Sequence, residues 1–553
     1  MVHVPSTHEP FYKNFRTFFG TTHHTDIGLL YLGFATINLV IAGLLAMVIR
    51  LELVAPGPTI VDAPTYTQVF TNHGVAMIFL VVFPIGTGFG NYLIPKLIGA
   101  KDMYWPRWNN AAFWMLVPGA LFIYIGMTNI GWTGYAPLSL YGNISVDFWA
   151  IGLIIIGFSS LAANLNFIVT IIAMRKPEVT WSKLDLFSWS ILLTAGIQVF
   201  ATPVITSGLV MLLLDRVLGS TFFAATSSFG GPLLWQHVFW AYSHPAVYIM
   251  ILPAMGLTSV LISKFSRNEI FGYSSMVLSM AAIGLLGFMV WGHHMYTVGI
   301  ETRVNELFNA MTFIIAVPSG IKTFNWLLTM YGGKLKLEAP LLFSLGFIIG
   351  FLFGGITGIM VNLIPLDLVF HDTYFVVGHF HLIVGAGAIS TLIGAVYYLF
   401  PTLTGKMYNR KLSVVHFLLW SIGALVAFAA MLFMGTFGFP RRYYDYSAWL
   451  TTESIAKVPL WLRLGPINFG FVDSYLEFPL SFWVPVLNII ATIGAFLMAL
   501  GFIVFVINLA ISVLRGQPAD DDPFGLEEDE EYDNESTDSI ELSEQKELAL
   551  ESG

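Results

Sequence analysis

An all-α, polytopic membrane fold is predicted from three observations. The 553 residues are 56% hydrophobic and only 11% charged, and mean hydropathy is +0.74, far above that of a soluble chain of this length. The apolar runs are helix-length, whereas a β-barrel would show short alternating segments. Cysteine is absent, which excludes disulfides, thiolate metal sites and iron–sulfur clusters within the chain.

Taken in order, residues 1–26 are polar and aromatic, with no short cleavable apolar stretch, so a cytoplasmic N-terminal segment and no signal peptide are expected. Twelve transmembrane helices follow within 27–515. They are predicted at 27–49, 69–97, 111–130, 146–174, 187–214, 232–263, 272–298, 304–329, 341–361, 373–400, 411–434 and 484–513. An even number puts both termini on one side, and lysine and arginine decide which. With the N-terminus inside, 16 of the 25 basic residues fall on the cytoplasmic side and seven outside, the other two being Lys322 within a span and Lys546 in the tail. A plasma-membrane protein with both termini cytoplasmic is expected. The net charge of −9 reflects the end of the chain: residues 519–553 hold 15 of the 34 acids and one lysine, leaving 19 acids and 24 bases, a net of +5, elsewhere. Residues 516–553 have the composition of a disordered, acidic tail. A solvated tail and a docking segment for a partner subunit both fit. No nucleic-acid partner is expected.

The polar residues inside the spans carry the functional signal, because each is costly in hydrocarbon. Span 2 holds Thr71-Asn72-His73-Gly74. Span 6 reads W-A-Y-S-H-P-A-V-Y, with His244 and Tyr248 four apart and so on one helical face. Span 7 contains Trp291-Gly292-His293-His294, two imidazoles about 100° apart on a regular helix. Span 10 opens on H-D-T-Y-F-V-V-G-H-F-H, residues 371–381. His379 and His381 are two apart, about 200° on a helix, so they face opposite ways and each can hold a different metal. A lone intramembrane histidine is more often a packing group than a ligand, but six are hard to explain by packing. Three imidazoles can make a trigonal copper site, and the others suit axial haem ligation.

The chain resembles subunit I of the haem–copper oxygen reductases. The likeness covers residues 20–515 and rests on T-N-H-G, H-P-A-V-Y, W-G-H-H, A-V-P-S-G-I-K and H-D-T-Y-F-V-V-G-H-F-H. It implies four-electron reduction of O2 to water at a haem–copper centre, coupled to proton uptake and pumping. By resemblance, His73 and His381 are axial ligands of a low-spin haem, His379 is the proximal ligand of a high-spin haem, and His244, His293 and His294 hold copper. Tyr248 is joined covalently to His244 and donates a hydrogen atom when the O–O bond breaks. Arg441 and Arg442 clamp haem propionates, with Asp367 nearby. His371 and Asp372 bind magnesium or manganese together with a partner's carboxylate. Arg50 bonds a haem formyl group, which implies haem A, although an arginine at a span end can also simply snorkel. Glu52 and Gly57 fall where some relatives bind calcium or sodium.

The resemblance also implies two proton routes from the inside. Lys322 with Ser319, Thr323 and Ser259 matches the route leading to Tyr248. Asp102, Asn91, Asn109, Asn166, Ser159 and Ser160 match the second. At its end this chain departs from the commoner pattern, with Ala246 where most relatives carry glutamate. Tyr242-Ser243 stand just before His244, as in a subgroup of type A enzymes, and the Tyr242 hydroxyl can occupy the missing carboxyl's space. Implied partners are a copper-bearing subunit II and a subunit III, with cytochrome c as the electron donor or, alternatively, a quinol. A nitric oxide reductase would be expected to lack Tyr248, Lys322 and the second route. A transporter, the different-class alternative, would leave the histidines unexplained.

Overall fold

Apolar length sets the architecture, and local signals set the ends. The computed structural model describes residues 15–228, 230–451, 455–458 and 476–526. The helices of the bundle are α1 His24–Glu52, α2 Ala63–Ile98, α3 Pro106–Gly126, α4 Ser145–Ala173, α5 Leu186–Leu218, α6 Gly231–Ser266, α7 Tyr273–Leu286, α8 Thr302–Met330, α9 Ala339–Asn362, α10 Tyr374–Thr404, α11 Arg410–Thr436 and α12 Ser481–Arg515. Among the described residues, eleven of these are long and apolar enough to cross a membrane. Helix starts are capped as their residues predict. Asp62, Asp185 and Asn409 each accept a backbone N–H of the first turn. Left-handed Gly99, Gly219 and Gly405 close α2, α5 and α10.

The seventh element corrects the predicted helix at 272–298. The α-helix α7 has 14 residues, about 21 Å, short of a ~30 Å hydrocarbon layer. After Gly287 the bonds tighten to i→i+3, from Phe288 to Leu285 and from Met289 to Leu286, and a 3₁₀ turn follows at Trp291–Met295. His293 and His294 therefore lie on a 3₁₀ turn, about 120° apart, not the ~100° of an α-helix. α8 is interrupted at Ile315, where Pro318 cannot donate and its ring crowds the carbonyl of Ile314. Two π-helical stretches were not predicted. They follow His73 and His381 closely, at Ala76–Val82 within α2 and Leu382–Ala388 within α10.

Glycines let helices meet backbone to backbone. A Cβ on Gly28 of α1 would lie 2.9 Å from Gly88 O of α2, and one on Gly423 of α11 would lie 2.7 Å from Gly494 O of α12. Outside the helical layer, β1 (Ile455–Val458) pairs antiparallel with β2 (Leu476–Pro479), Ile455 opposite Pro479. The N-terminal segment is described from residue 15 and the acidic tail only as far as 526. Residues 516–526, which composition assigns to the tail, pack against the bundle. Met407 N donates to Gln517 O and Ala519 N to Gly405 O. Phe524 is buried against Phe265 and Tyr398.

Candidate metal centres and proton routes

α6 and the 3₁₀ turn bring three imidazoles together. His244 Nδ1 is 3.0 Å from His294 Nε2, and His293 Nε2 is 3.1 Å from the same atom. All three ligand nitrogens lie within 4.8 Å of one another, the one His/Cys/Asp/Glu cluster of metal-binding geometry among the described residues. The rings are fixed from behind: Trp240 stacks on His294 at 3.8 Å, and Thr312 Oγ1 lies 2.9 Å from His293 Nδ1. Three neutral imidazoles with no carboxylate form a donor set suited to copper. Tyr248 sits on the same face of α6 as the spacing predicts, its ring 4.9 Å from that of His244 and inclined 64° to it.

His379 and His381 face opposite ways, as expected from their spacing on the α-helical start of α10, Tyr374–His381. His379 Nδ1 is 2.9 Å from Gly354 O and 3.2 Å from Thr357 Oγ1, both on α9. A Cβ on Gly358 would come within 2.9 Å of His379 Cε1, so this face of α9 must stay bare. His381 packs against Phe428 of α11 and faces His73, with ring planes 9° apart and centroids 6.4 Å apart. The Nδ1 atoms of His73 and His381 meet Ala42 O and Val377 O, each at 2.9 Å. A carbonyl only accepts, so Nδ1 carries the hydrogen in all three histidines and Nε2 keeps its lone pair. The 6.4 Å separation rules out face-to-face contact of the two rings and suits one metal atom bound between two imidazoles at about 2 Å each. The pocket residues fit a bis-histidine haem at His73/His381 and a second haem on His379.

The loops at the start of α10 and the end of α11 are tied together. Thr373 bridges to Pro440, Arg441 N donates to Asp372 O, and Arg441 Nη2 pairs with Asp372 Oδ1 at 2.5 Å. Asp372 and Arg442 both have left-handed backbones (φ 55° and 71°), a costly conformation for non-glycine residues that recurs at functional sites. Burial and the neighbouring Arg441 push the Arg442 guanidinium down to about 10. Burial raises the Asp372 carboxyl, but Arg441, His371 and Arg442 outweigh it and hold it below the usual range. Asp367 is buried and accepts His371 Nδ1 at 2.9 Å. Arg50 does not snorkel. It is buried, and its Nη2 donates to Asn488 Oδ1 at 2.9 Å while Nη1 has no partner among the described residues. Glu52 accepts the N–H groups of Thr59, Ile60 and Val61, and Gly57 N donates to Asp445.

Lys322 is fully buried with no hydrogen-bond partner among the described residues, its ammonium 5.0 Å over the Trp326 ring. Trp326 Nε1 donates to Ser259 Oγ at 2.9 Å, which joins α8 to α6. Ser319 and Thr323 return their hydroxyls to carbonyls one turn back.

On the other side, Asp102 accepts the backbone N–H groups of His24 and Met103, and burial raises its carboxyl. Asn109 Nδ2 donates to Asn91 Oδ1 at 2.5 Å. Ser159 donates to Ala112 O, and Ser160 accepts from Gln198. A small cavity is lined by Tyr31, Thr87, Ser159 and Ser160. Asn166 is engaged elsewhere, bonding the Trp105 backbone in both directions. Tyr242 and Ala246 are buried; Tyr242 lies parallel to Phe79, and Ser243 Oγ has no partner among the described residues.

Sequence reading missed His24, which bonds Asn91 O at 2.8 Å, and Tyr31, one heptad further along α1 on the same face. It also missed Gln198, although a lone amide within span 5 is itself a signal.

The family model for "Cytochrome C and Quinol oxidase polypeptide I" matches residues 26–467. The chain is 40% identical to cytochrome c oxidase polypeptide 1 of Halobacterium salinarum, over 96% of this chain and 84% of that one. It is 39% identical to cytochrome c oxidase subunit 1 of Synechocystis, over 91% of this chain and 86% of that one. Among solved structures, a heme-copper terminal oxidase dimer matches with a TM-score of 0.73 at 22% identity, over 89% of this chain and 84% of that one.

Proposed function

The chain belongs to the cytochrome c and quinol oxidase polypeptide I family, and on that premise we propose how its own residues divide the work of an integral-membrane terminal oxidase, the catalytic subunit that reduces O2 to water. The observation that carries this reading is the convergence of His244, His293 and His294 beside Tyr248. Those three histidines would hold copper, His379 a high-spin haem, and His73 with His381 a low-spin haem. When bound, haem and copper supply the electrons and the O2 site that no side chain can provide.

The overall reaction consumes one O2, four electrons and four protons and yields two waters. Tyr248, held beside His244, would give up its phenolic hydrogen, one proton and one electron, as the O–O bond breaks; the covalent link to His244 that the resemblance implies would form separately, each ring losing one hydrogen and O2 taking up the two electrons. Lys322, a buried cation without a hydrogen-bond partner, would relay protons from the inner face past Ser259, Thr323 and Ser319 toward Tyr248. Asp102 would gather protons at the mouth of the second route, and Asn109, Asn91, Ser159 and Ser160 would pass them inward. Asn166 would act there by fixing the Trp105 backbone. Ala246 cannot titrate, so Tyr242 and Ser243 with water would carry the relay that a glutamate carries in most relatives, and pumping would use the same relay.

Around the haems, Arg441 and Arg442 would bind propionates, with Asp367 close by. The unpartnered Nη1 of Arg50 would meet a formyl group, which favours haem A. Asp367 orients His371 in the carboxylate–histidine arrangement that tunes metal ligands, and His371 with Asp372 would take magnesium or manganese. Glu52 would share its oxygens with a calcium or sodium ion beside Gly57.

Electrons would arrive from cytochrome c through a copper-bearing subunit II, because the relatives compared above are named cytochrome c oxidases. A subunit III would complete the complex, in a plasma membrane with both termini cytoplasmic.

The test is an optical spectrum of the purified complex, reduced minus oxidised and then with carbon monoxide, together with copper and iron analysis. Two haems, one of them binding carbon monoxide, with copper present, is the expected result. One haem, or non-haem iron in place of copper, overturns the ligand assignments.

A further inference from the structure

Along α5, residues 194, 198, 202 and 206 are polar at a strict four-residue spacing, in a helix otherwise dominated by apolar side chains. They are Thr194, Gln198, Thr202 and Thr206, and the first three are at least 93% buried. Each has a buried side-chain oxygen with no hydrogen-bond partner among the described residues. Several helical threonines elsewhere behave differently. Thr71, Thr87, Thr170 and Thr329 return their hydroxyls to the carbonyl four residues back. The α5 hydroxyls are thus available to something other than their own helix.

The facing wall is made for them. Gln198 Nε2 donates to Ser160 Oγ of α4 at 2.9 Å. One helical turn further, Gly157 leaves the space for the upper threonines. A Cβ there would lie 2.9 Å from Thr206 Oγ1 and 3.3 Å from Thr202 Cγ2. At the lower end of the stripe lies a cavity bounded by Thr87, Ser160, Asn164, Thr194, Gln198 and Pro253, with about 20 Å³ of room for water centres. One water needs about 10–15 Å³ and two to four polar partners, and this cavity offers both.

The stripe leads somewhere. Gly256 of α6 lies against Ser190 and Phe187 of α5, and Gly208 of α5 lies against Val238 and Trp235 of α6. Between these two fixed contacts the antiparallel helices bring Thr202 level with Tyr242. By the same register Ala246, which leaves the relay without a carboxylate, lies one turn lower, level with Gln198, so the stripe spans both levels.

We infer that Gln198 is a positioning residue of the proton-uptake column: its amide holds Ser160 and, with Thr194, Thr202 and Thr206, carries a file of water up the α4/α5 seam to the level of Tyr242. Protons move by hops between waters; the amide donates one hydrogen bond, accepts another and undergoes no net change of protonation. The inference rests on the reading of Asp102, Asn109, Asn91, Ser159 and Ser160 as a proton column, which the same experiment tests separately.

The experiment measures proton uptake by the purified oxidase complex after a light-triggered start of the reaction with O2, in H2O and in D2O, for Gln198→Leu, Gln198→Glu and Asp102→Asn. Gln198→Leu is expected to slow uptake about tenfold, less than the 10²–10⁴-fold typical of a direct proton donor, and to enlarge the isotope effect, with haem and copper spectra unchanged. Gln198→Glu keeps the length and two polar atoms and should stay within about twofold of the wild type. Wild-type uptake in Gln198→Leu, with Asp102→Asn slow, removes the seam and spares the column. Equal losses in Gln198→Leu and Gln198→Glu show a packing role and overturn the inference. Unimpaired uptake in Asp102→Asn removes the column and the inference with it. Should Gln198→Leu fail to assemble, Thr202→Val with Thr206→Val removes both upper hydroxyls at nearly constant shape; unchanged uptake there sinks the proposal.

Discussion

The rings of His73 and His381 lie 9° from parallel with centroids 6.4 Å apart, each tied through Nδ1 to a backbone carbonyl. Two helices distant in sequence, α2 and α10, thus present two lone pairs to one space. Each carbonyl sets the tautomer and aims the ring, so the pair is preorganised before any metal arrives.

His381→Ala should therefore remove the low-spin haem while leaving His379 and the three-histidine cluster intact. In the reduced spectrum the six-coordinate band should vanish and the carbon monoxide difference band should persist. Loss of carbon monoxide binding alone, with the low-spin band kept, would mean that His379 and His381 have exchanged roles.

Lys322 tests whether an expensive group is kept for its chemistry. A buried cation with no hydrogen-bond partner costs about 2.5–3.5 kcal/mol at the centre of a membrane helix. Methionine fills nearly the same volume without the charge. Lys322→Met should be at least as heat-stable as the wild type, yet turn over at least about 10²-fold more slowly. A destabilised variant with normal turnover would instead mark Lys322 as a packing group held by Trp326.

How much of this was legible in the sequence depended on the kind of order involved. The helices were, because a run such as 187–214 has little choice in hydrocarbon. The opposed faces of His379 and His381 were too, because two residues of α-helix fix an angle. The 3₁₀ turn under His293 and His294 was not. It depends on where α7 loses its ladder after Gly287, and hydropathy continues smoothly through that point. The π stretches after His73 and His381 add no residue type that marks them. Asn166 is matched to the pathway lining by resemblance, and no spacing in the sequence announces that its side chain bonds the Trp105 backbone in both directions. Buried Arg50 looked free to snorkel because its partners, Asn488 and Thr492, lie more than 430 residues away.

Tyr242 stands where the proposed relay has no carboxylate. It is buried, parallel to Phe79, on the same face of α6 as Ala246, Ile249 and Pro253. Tyr242→Phe keeps the ring and removes only the hydroxyl. Turnover or the number of protons pumped per electron should fall substantially, by about 10²-fold in rate if the hydroxyl is an obligatory relay. Vesicle-reconstituted enzyme with wild-type values for both would take Tyr242 out of the proton path and leave Ser243 and water to serve alone.

The stretch after α12 makes a stability prediction against its composition. Residues 519–526 begin the most acidic part of the chain, yet Phe524 is 97% buried against Phe265 of α6 and Tyr398 of α10. Arg410 donates to Pro523 O, and Lys406 donates to the carbonyls that end α12. The strap therefore ties the ends of α6, α10, α11 and α12 on one face of the bundle. Phe524→Ala should cost about 3 kcal/mol, the low end for an aromatic core truncation. It should also lower the unfolding temperature of the detergent-solubilised complex. Ending the chain after Leu526 should leave that temperature unchanged, because the packed strap is retained. Ending it after Arg515 should lower it by at least as much as Phe524→Ala, since the backbone bonds to Met407 and Gly405 go as well. If both truncations melt alike, the strap contributes nothing and the tail begins where its charge first suggests.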